Sequence, residues 1–123
     1  MSTQIATPRR STLTLWLPVI VWAGVIFAFS SVPSLGTGLG TWDLVLRKLA
    51  HLSEYALLGF LLARAVRRPA VGVVLAAGYA ATDEVHQTFV EGRHGAPLDV
   101  AIDTVGALGG ILAWRALARR RTP

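Results

Sequence analysis

Four side chains with acid–base or charge chemistry lie within the eight residues 48–55. Lys48, His51, Glu54 and Tyr55 are spaced so that, at about 100° per residue, they cover an arc of about 120° on one helix face. A carboxylate beside an imidazole can transfer protons, and a lysine beside them can hold an anionic group. The segment therefore predicts a helix with one chemically active face.

Two further groups of polar side chains follow along the chain. One lies at the end of an apolar stretch and contains Asp83, Glu84, His86 and Gln87. The other lies at the start of the next apolar stretch and contains Asp99 and Asp103. Arg93 lies in the glycine-containing turn between them. Glu54, Asp83 and His51 are the candidate catalytic residues. The candidate binding residues are Lys48, Tyr55, Glu84, Gln87, Arg93, Asp99 and Asp103.

The elements that must position these groups are apolar helices. The chain is 53% hydrophobic and 15% charged, and residues 11–42 contain no Asp, Glu, Lys, Arg or His. The apolar run of residues 13–29 exceeds the roughly 7–15 residues of a signal-peptide core, so an uncleaved span is favoured over a signal peptide. The absence of cysteine excludes disulfides and thiolate metal sites. The net charge of +5 does not indicate nucleic-acid binding, because no fold or aromatic pattern supports it.

The pattern predicts an all-α, polytopic membrane protein with four transmembrane helices at about 13–30, 44–66, 70–89 and 97–117. These helices form one membrane domain over residues 13–118, with tails at 1–12 and 119–123. Asp43 is the expected N-cap of the second helix. The uncharged runs of helices two to four are each shorter than the roughly 18 residues that identify a transmembrane span by themselves. The assignment of four spans therefore depends on the four helices considered together.

The arrangement of charges supports four spans with both termini in the cytoplasm. In that topology nine of the twelve basic residues lie inside and three lie outside, as the positive-inside rule requires. All seven acids and all three histidines then lie in the outer half, although they were not used to choose the topology. Three helices are expected to bring Glu54, Asp83 and Asp103 to a similar depth, about 9–15 Å below their ends. Gly106 and Gly110, beside Gly109, predict close helix packing.

Intramembrane charges are costly, so the polar groups either pair with one another or serve a function. Three hypotheses remain open. The protein is an enzyme that uses Glu54 or Asp83 as a general base, with Lys48, His51 and Arg93 holding a substrate phosphate. Alternatively, His51 and the carboxylates bind Zn or Mn, although their spacing matches no known closed site, and no metal or cofactor is assigned. Finally, the cluster is a packing device in a protein that binds envelope components.

The sequence from Lys48 to Gly59 resembles the K-x-x-H-x-x-E-Y-x-x-L-G signature of the VanZ-like family. Residues 83–93 and 99–110 are similar to the family's second and third blocks, and residues 30–33 to the loop after its first helix. The resemblance covers residues 20–114. Asp103 stands where the family usually has Asn, and Glu91 where Pro is common, so the first difference adds a buried acid.

The resemblance implies a multi-pass protein of the bacterial cytoplasmic membrane, and some relatives are associated with low-level resistance to teicoplanin-type glycopeptides. The expected function is therefore a role in the cell envelope through a polar pocket near the outer face. The expected partners are membrane lipids and a lipid-linked precursor or glycopeptide-related ligand. The alternative function is a membrane-embedded hydrolase or transferase acting on a lipid-linked phosphate substrate.

Overall fold

The computed structural model describes residues 11–32, 40–90 and 96–121. Within them the chain forms four helices: α1 at Thr12–Ser30, α2 at Thr41–Val66, α3 at Pro69–Gln87 and α4 at Pro97–Arg120. The predicted all-α fold is confirmed for these ranges. Helices α1, α2 and α4 are long and apolar enough to cross a membrane. Helix α3 falls short of that criterion because its last third contains Asp83, Glu84 and His86, so a fourth span stays a prediction.

Local sequence explains where the helices begin and end. Ser11 caps α1, since its hydroxyl accepts a hydrogen bond of 3.2 Å from the Thr14 amide. Helices α3 and α4 each begin with a proline, whose fixed φ and missing N–H suit the first helical position. Helix α3 ends at Gln87, two residues before the expected end at Phe89.

The expected N-cap of α2 was wrong. The helix begins at Thr41 and its N-cap is Gly40, which has φ +63° and supplies no side-chain cap. Asp43 lies instead inside the first turn, where its negative charge is stabilised by the positive end of the helix dipole. The chain can enter the helix three residues earlier because glycine adopts a positive φ at little cost.

Helices α2 and α4 pack with their backbones in direct contact. A Cβ at Gly59 would overlap the Ala107 carbonyl, and one at Gly110 would overlap the Ala56 carbonyl. A Cβ at Gly106 would lie 2.6 Å from the Leu52 carbonyl oxygen. The predicted close approach at the G-x-x-x-G is therefore present. Gly109 takes no part in it, because it is exposed and a Cβ there would meet nothing within 4 Å.

The helices expose many apolar side chains outward and bury several polar ones beside an apolar core. Leu13 on α1, Val74 on α3 and Val105 on α4 are each more than 60% exposed. Asp83, Gln87 and Asp103 are at most 3% exposed. Helix α1 packs on α2 and α3, so the buried carboxylates lie among α2, α3 and α4. An apolar exterior with charged side chains kept inside is the arrangement expected of a helix bundle surrounded by lipid.

Candidate functional site

The centre of the candidate site is formed by His51 of α2, Asp83 of α3 and Asp103 of α4. One imidazole nitrogen and one oxygen of each carboxylate all lie within 4.8 Å of one another. Asp103 is 0% exposed and Asp83 is 2% exposed. We call these three residues the HDD cluster. They lie at the end of the bundle where α2 and α4 begin and α3 ends, which we call the polar end.

The HDD cluster leaves several buried polar atoms without hydrogen bonds. His51 Nδ1 lies 3.3 Å from Asp103 Oδ1, close enough for an ion pair when the imidazole is protonated. That contact does not have hydrogen-bond geometry, and neither oxygen of Asp103 receives a hydrogen bond from the described part of the chain. The Tyr55 hydroxyl donates a hydrogen bond to Asp83 Oδ2, and Asp83 Oδ1 has none within the same ranges. The cluster therefore contains buried carboxylate oxygens that no hydrogen-bond donor of the described residues satisfies.

Lys48 and Asp99 form an ion pair at the rim of the polar end. The Lys48 ammonium donates a hydrogen bond to Asp99 Oδ1, joining α2 to α4. Their side chains are 34% and 18% exposed, so water or headgroups reach both. Lys48 is therefore paired with Asp99, whereas Asp103 lies beside His51.

Glu84 and Gln87 connect the end of α3 to neighbouring helices. The Ala96 amide, at the N-cap of α4, donates a 2.8 Å hydrogen bond to Glu84 Oε2. The Gln87 amide donates a longer bond of 3.4 Å to the Ser30 hydroxyl at the end of α1. Both side chains are buried, so these contacts set the position of α3 relative to α1 and α4.

Helix α1 contributes more to this end than the sequence indicated. The His86 ring stacks on Phe27 with centroids 4.3 Å apart, and His86 Nε2 lies 2.9 Å from the Ser31 hydroxyl. The Trp22 indole donates a 2.8 Å hydrogen bond to the backbone carbonyl oxygen of Glu54. Sequence reasoning missed these contacts because α1 has no ionisable group; the polar side chains of Trp22 and Ser31 were the signals that could have indicated them.

The structure does not group the three carboxylates that were expected at one depth, Glu54, Asp83 and Asp103. It groups His51 with Asp83 and Asp103. His51 takes the place expected of Glu54, because Glu54 lies almost one turn further along α2. Glu54 instead lines a cavity with Phe29 and Ser30 of α1. Arg93, the remaining predicted binding residue, lies outside the described residues.

Two cavities at the polar end meet at His51. One of about 240 Å³ is lined by Leu44, Arg47, Lys48, His51, Gln87, Ala96 and Asp99. The other, of about 360 Å³, is lined by Phe29, Ser30, Val32, Arg47, Ala50, His51 and Glu54. Arg47 is common to both, and it was not among the predicted site residues. Its position beside Lys48 was visible in the sequence, but Arg47 was counted only as one of the three basic residues on the outer side.

Another cavity lies at the opposite end of the bundle. It has a volume of about 540 Å³ and is lined by Ala63, Arg67, Pro69, Trp114, Arg115, Ala118 and Arg119. His51 and Arg67 are sixteen residues apart on α2, or about 24 Å along the axis. This space is therefore too far from the HDD cluster to share its chemistry.

Comparison with known protein families identifies the chain. The VanZ/LLP1 family model matches residues 14–118, which include all four helices almost completely. The chain belongs to the VanZ/LLP1 family. No curated protein and no solved structure matches it. The predicted family is confirmed, and with the three span-like helices it supports a VanZ-like membrane protein. Within this VanZ/LLP1 chain, the matched region contains the whole HDD cluster and both cavities.

Proposed function

We propose that this VanZ/LLP1 protein binds the phosphate-bearing head of a lipid-linked envelope component at its polar end. The observation that carries the proposal is that the two cavities there share Arg47 and His51, and one of them also contains Lys48. Guanidinium and ammonium groups form charge-assisted hydrogen bonds to phosphate, and an imidazole can donate another. The exposed apolar side chains around the bundle would accommodate the lipid chain.

The proposed setting is the bacterial cytoplasmic membrane, with four spans, both termini in the cytoplasm and the polar end near the outer face. The distribution of basic residues supports this orientation, because the arginines after α2 and in the tail after α4 would lie inside. Membrane lipids would then surround the exposed side chains of all four helices. Binding of an outer-leaflet envelope component would alter susceptibility to teicoplanin-type glycopeptides, the role implied by the family resemblance.

Ligand binding can be tested with the detergent-purified protein and a defined probe. A short-chain polyprenyl phosphate should bind at least about tenfold more tightly than the alcohol of the same chain, because charge-assisted bonds each contribute about 1.5–3 kcal/mol. Arg47→Gln should remove most of that preference. Arg120→Gln, which removes an exposed arginine at the other end of α4, should leave it unchanged. Equal affinity for phosphate and alcohol would contradict the proposal.

A cell-based experiment tests the biological consequence. Expression of the wild-type protein in a teicoplanin-sensitive bacterium should raise the minimum inhibitory concentration of teicoplanin, whereas equal expression of Arg47→Gln should not. Arg120→Gln again serves as the control. The same inhibitory concentration for the wild type and for cells with an empty vector would count against the envelope role.

A membrane-embedded hydrolase or transferase is the second candidate function. It is favoured by one observation: Glu54 and His51 line the same cavity, so an acid–base pair borders the space for the head group. Catalysis predicts that Glu54→Gln abolishes turnover of the lipid-linked phosphate while insertion and melting temperature stay unchanged. A purely structural role of Glu54 predicts lower membrane accumulation or a lower melting temperature.

A further inference from the structure

The two carboxylates of the HDD cluster are buried without enough partners to neutralise them. Asp103 is 0% exposed, and its two oxygens receive no hydrogen bond in the described ranges. Asp83 is 2% exposed and uses only Oδ2, toward Tyr55. An uncompensated buried carboxylate costs several kcal/mol, so such a pair requires a cation or a proton. A protonated His51 would compensate one negative charge and leave the second.

We propose that His51, Asp83 and Asp103 bind one divalent transition-metal ion, with Zn²⁺ the best match to their donor atoms. One imidazole nitrogen and two carboxylate oxygens are a set that Zn²⁺ and Mn²⁺ accept. A charge of +2 balances the two carboxylates around a neutral imidazole. Three protein ligands leave a fourth position open, as in zinc sites that also bind a small ligand.

The spacing of the donor atoms fits this ion. Atoms that each lie about 2.0–2.2 Å from one tetrahedral Zn²⁺ are about 3.3–3.6 Å apart. The donors of the HDD cluster lie within 4.8 Å of one another, so side-chain movements of about 1 Å or less would complete the site. Each ligand comes from a different helix, and α2 and α4 are held together by direct backbone contact.

Tyr55 gives the site a positioning residue. Its hydroxyl is 3.2 Å from Asp83 Oδ2, and the tyrosine is 0% exposed. The bond holds one oxygen of Asp83 and leaves Oδ1 available to the ion. Hydrogen bonds of this kind orient metal-ligating carboxylates, and their removal typically weakens metal binding by about 10–100-fold.

His51 also connects the site to the surface. It lines both cavities of the polar end, so an ion and water can reach the imidazole from either side. The open coordination position would face this space. The metal proposal does not rest on phosphate binding by Arg47, and either can be correct without the other.

Metal content of the protein is the direct test. The protein, purified in detergent without a polyhistidine tag and stripped with EDTA, is dialysed against Zn²⁺, Mn²⁺ or Mg²⁺ and measured by mass spectrometry. About one Zn²⁺ per chain should remain, with a higher melting temperature than the stripped protein, and Mg²⁺ should not replace it. Less than about a tenth of an equivalent of Zn²⁺ and of Mn²⁺ in the folded wild type would overturn the proposal.

Matched variants locate the ion. His51→Gln, Asp83→Asn and Asp103→Asn should each lower Zn²⁺ affinity at least tenfold, since each removes a ligand or its charge. His86→Gln and Asp99→Asn change a histidine and a carboxylate of the same end that lie outside the cluster, and they should keep about one equivalent. Wild-type affinity in folded His51→Gln would refute the assigned site.

A spectroscopic measurement decides the question even where a variant fails to fold. Mn²⁺ bound to the wild-type protein should show electron–nuclear coupling to one histidine nitrogen. A spectrum with no nitrogen coupling would assign Mn²⁺ to carboxylates elsewhere and overturn the proposal. This readout is independent of any lipid or antibiotic, so its failure is distinguishable from failure of phosphate binding.

Discussion

The Tyr55 hydroxyl donates a 3.2 Å hydrogen bond to Asp83 Oδ2, joining α2 to α3 inside the bundle. Tyr55→Phe keeps the ring and removes only this bond. We expect a loss of about 1–3 kcal/mol in the free energy of unfolding, because a buried carboxylate oxygen loses its donor. Reversible unfolding of the detergent-solubilised protein measures the change, and Tyr79→Phe, which breaks a bond from α3 to the Ala23 carbonyl, is the comparison.

The same variant distinguishes a structural tyrosine from one that positions a metal ligand. If Asp83 holds an ion, Tyr55→Phe should weaken Zn²⁺ binding by about 10–100-fold. Tyr79→Phe should leave Zn²⁺ affinity unchanged, because its bond goes to a backbone carbonyl of α1. Equal Zn²⁺ affinities for the two variants would remove Tyr55 from the positioning role.

Gly110 and Gly109 are adjacent on α4 but should respond oppositely to alanine. A Cβ at Gly110 overlaps the Ala56 carbonyl, and backbone cannot move aside without separating α2 from α4. Gly110→Ala should therefore cost about 1–3 kcal/mol or more and lower membrane accumulation. Gly109→Ala meets open space and should be neutral or stabilising by up to about 1 kcal/mol. Equal stabilities of the two variants would contradict the close packing.

The ion pair of Lys48 and Asp99 should contribute a measurable but modest coupling. Both side chains keep partial exposure, so a double-mutant cycle with Lys48→Met and Asp99→Asn should give a coupling of about 1 kcal/mol or less. The coupling should fall as salt is raised because solvent reaches the pair. A salt-independent coupling of several kcal/mol would indicate a pair buried from water.

Labelling of single cysteines would decide whether α3 crosses the membrane. The chain has no cysteine, so each variant carries a single thiol. Arg68 and Thr88 flank α3 and are both exposed. With four spans and the polar end outside, an impermeant reagent should label Thr88→Cys on intact cells and should not label Arg68→Cys. Labelling of both from the same side would show that α3 does not span.

Much of this architecture follows from the chain itself. The polar groups of residues 48–55, 83–87 and 99–103 interrupt apolar runs, so their cost in lipid implied a common polar interior before any fold was known. The helix ends were mostly predictable, since Pro69 and Pro97 favour first-turn positions. The start of α2 was missed, because the preference of Asp43 for capping cannot reveal that Gly40 adopts a positive φ.

The sequence by itself determined the family, the helical class and the residue types available for chemistry, because these depend on local pattern and motif. Only the tertiary structure decided which of those residues meet. Glu54 and His51 share one helix arc, yet His51 joins Asp83 and Asp103, while Glu54 lines a cavity beside α1. That choice depends on the rotation and offset of α2 against α4, which are set by the backbone contacts of Gly59, Gly106 and Gly110. Helix periodicity predicts which face of a helix a residue occupies, but only the packing of the helices determines which neighbouring residues that face contacts.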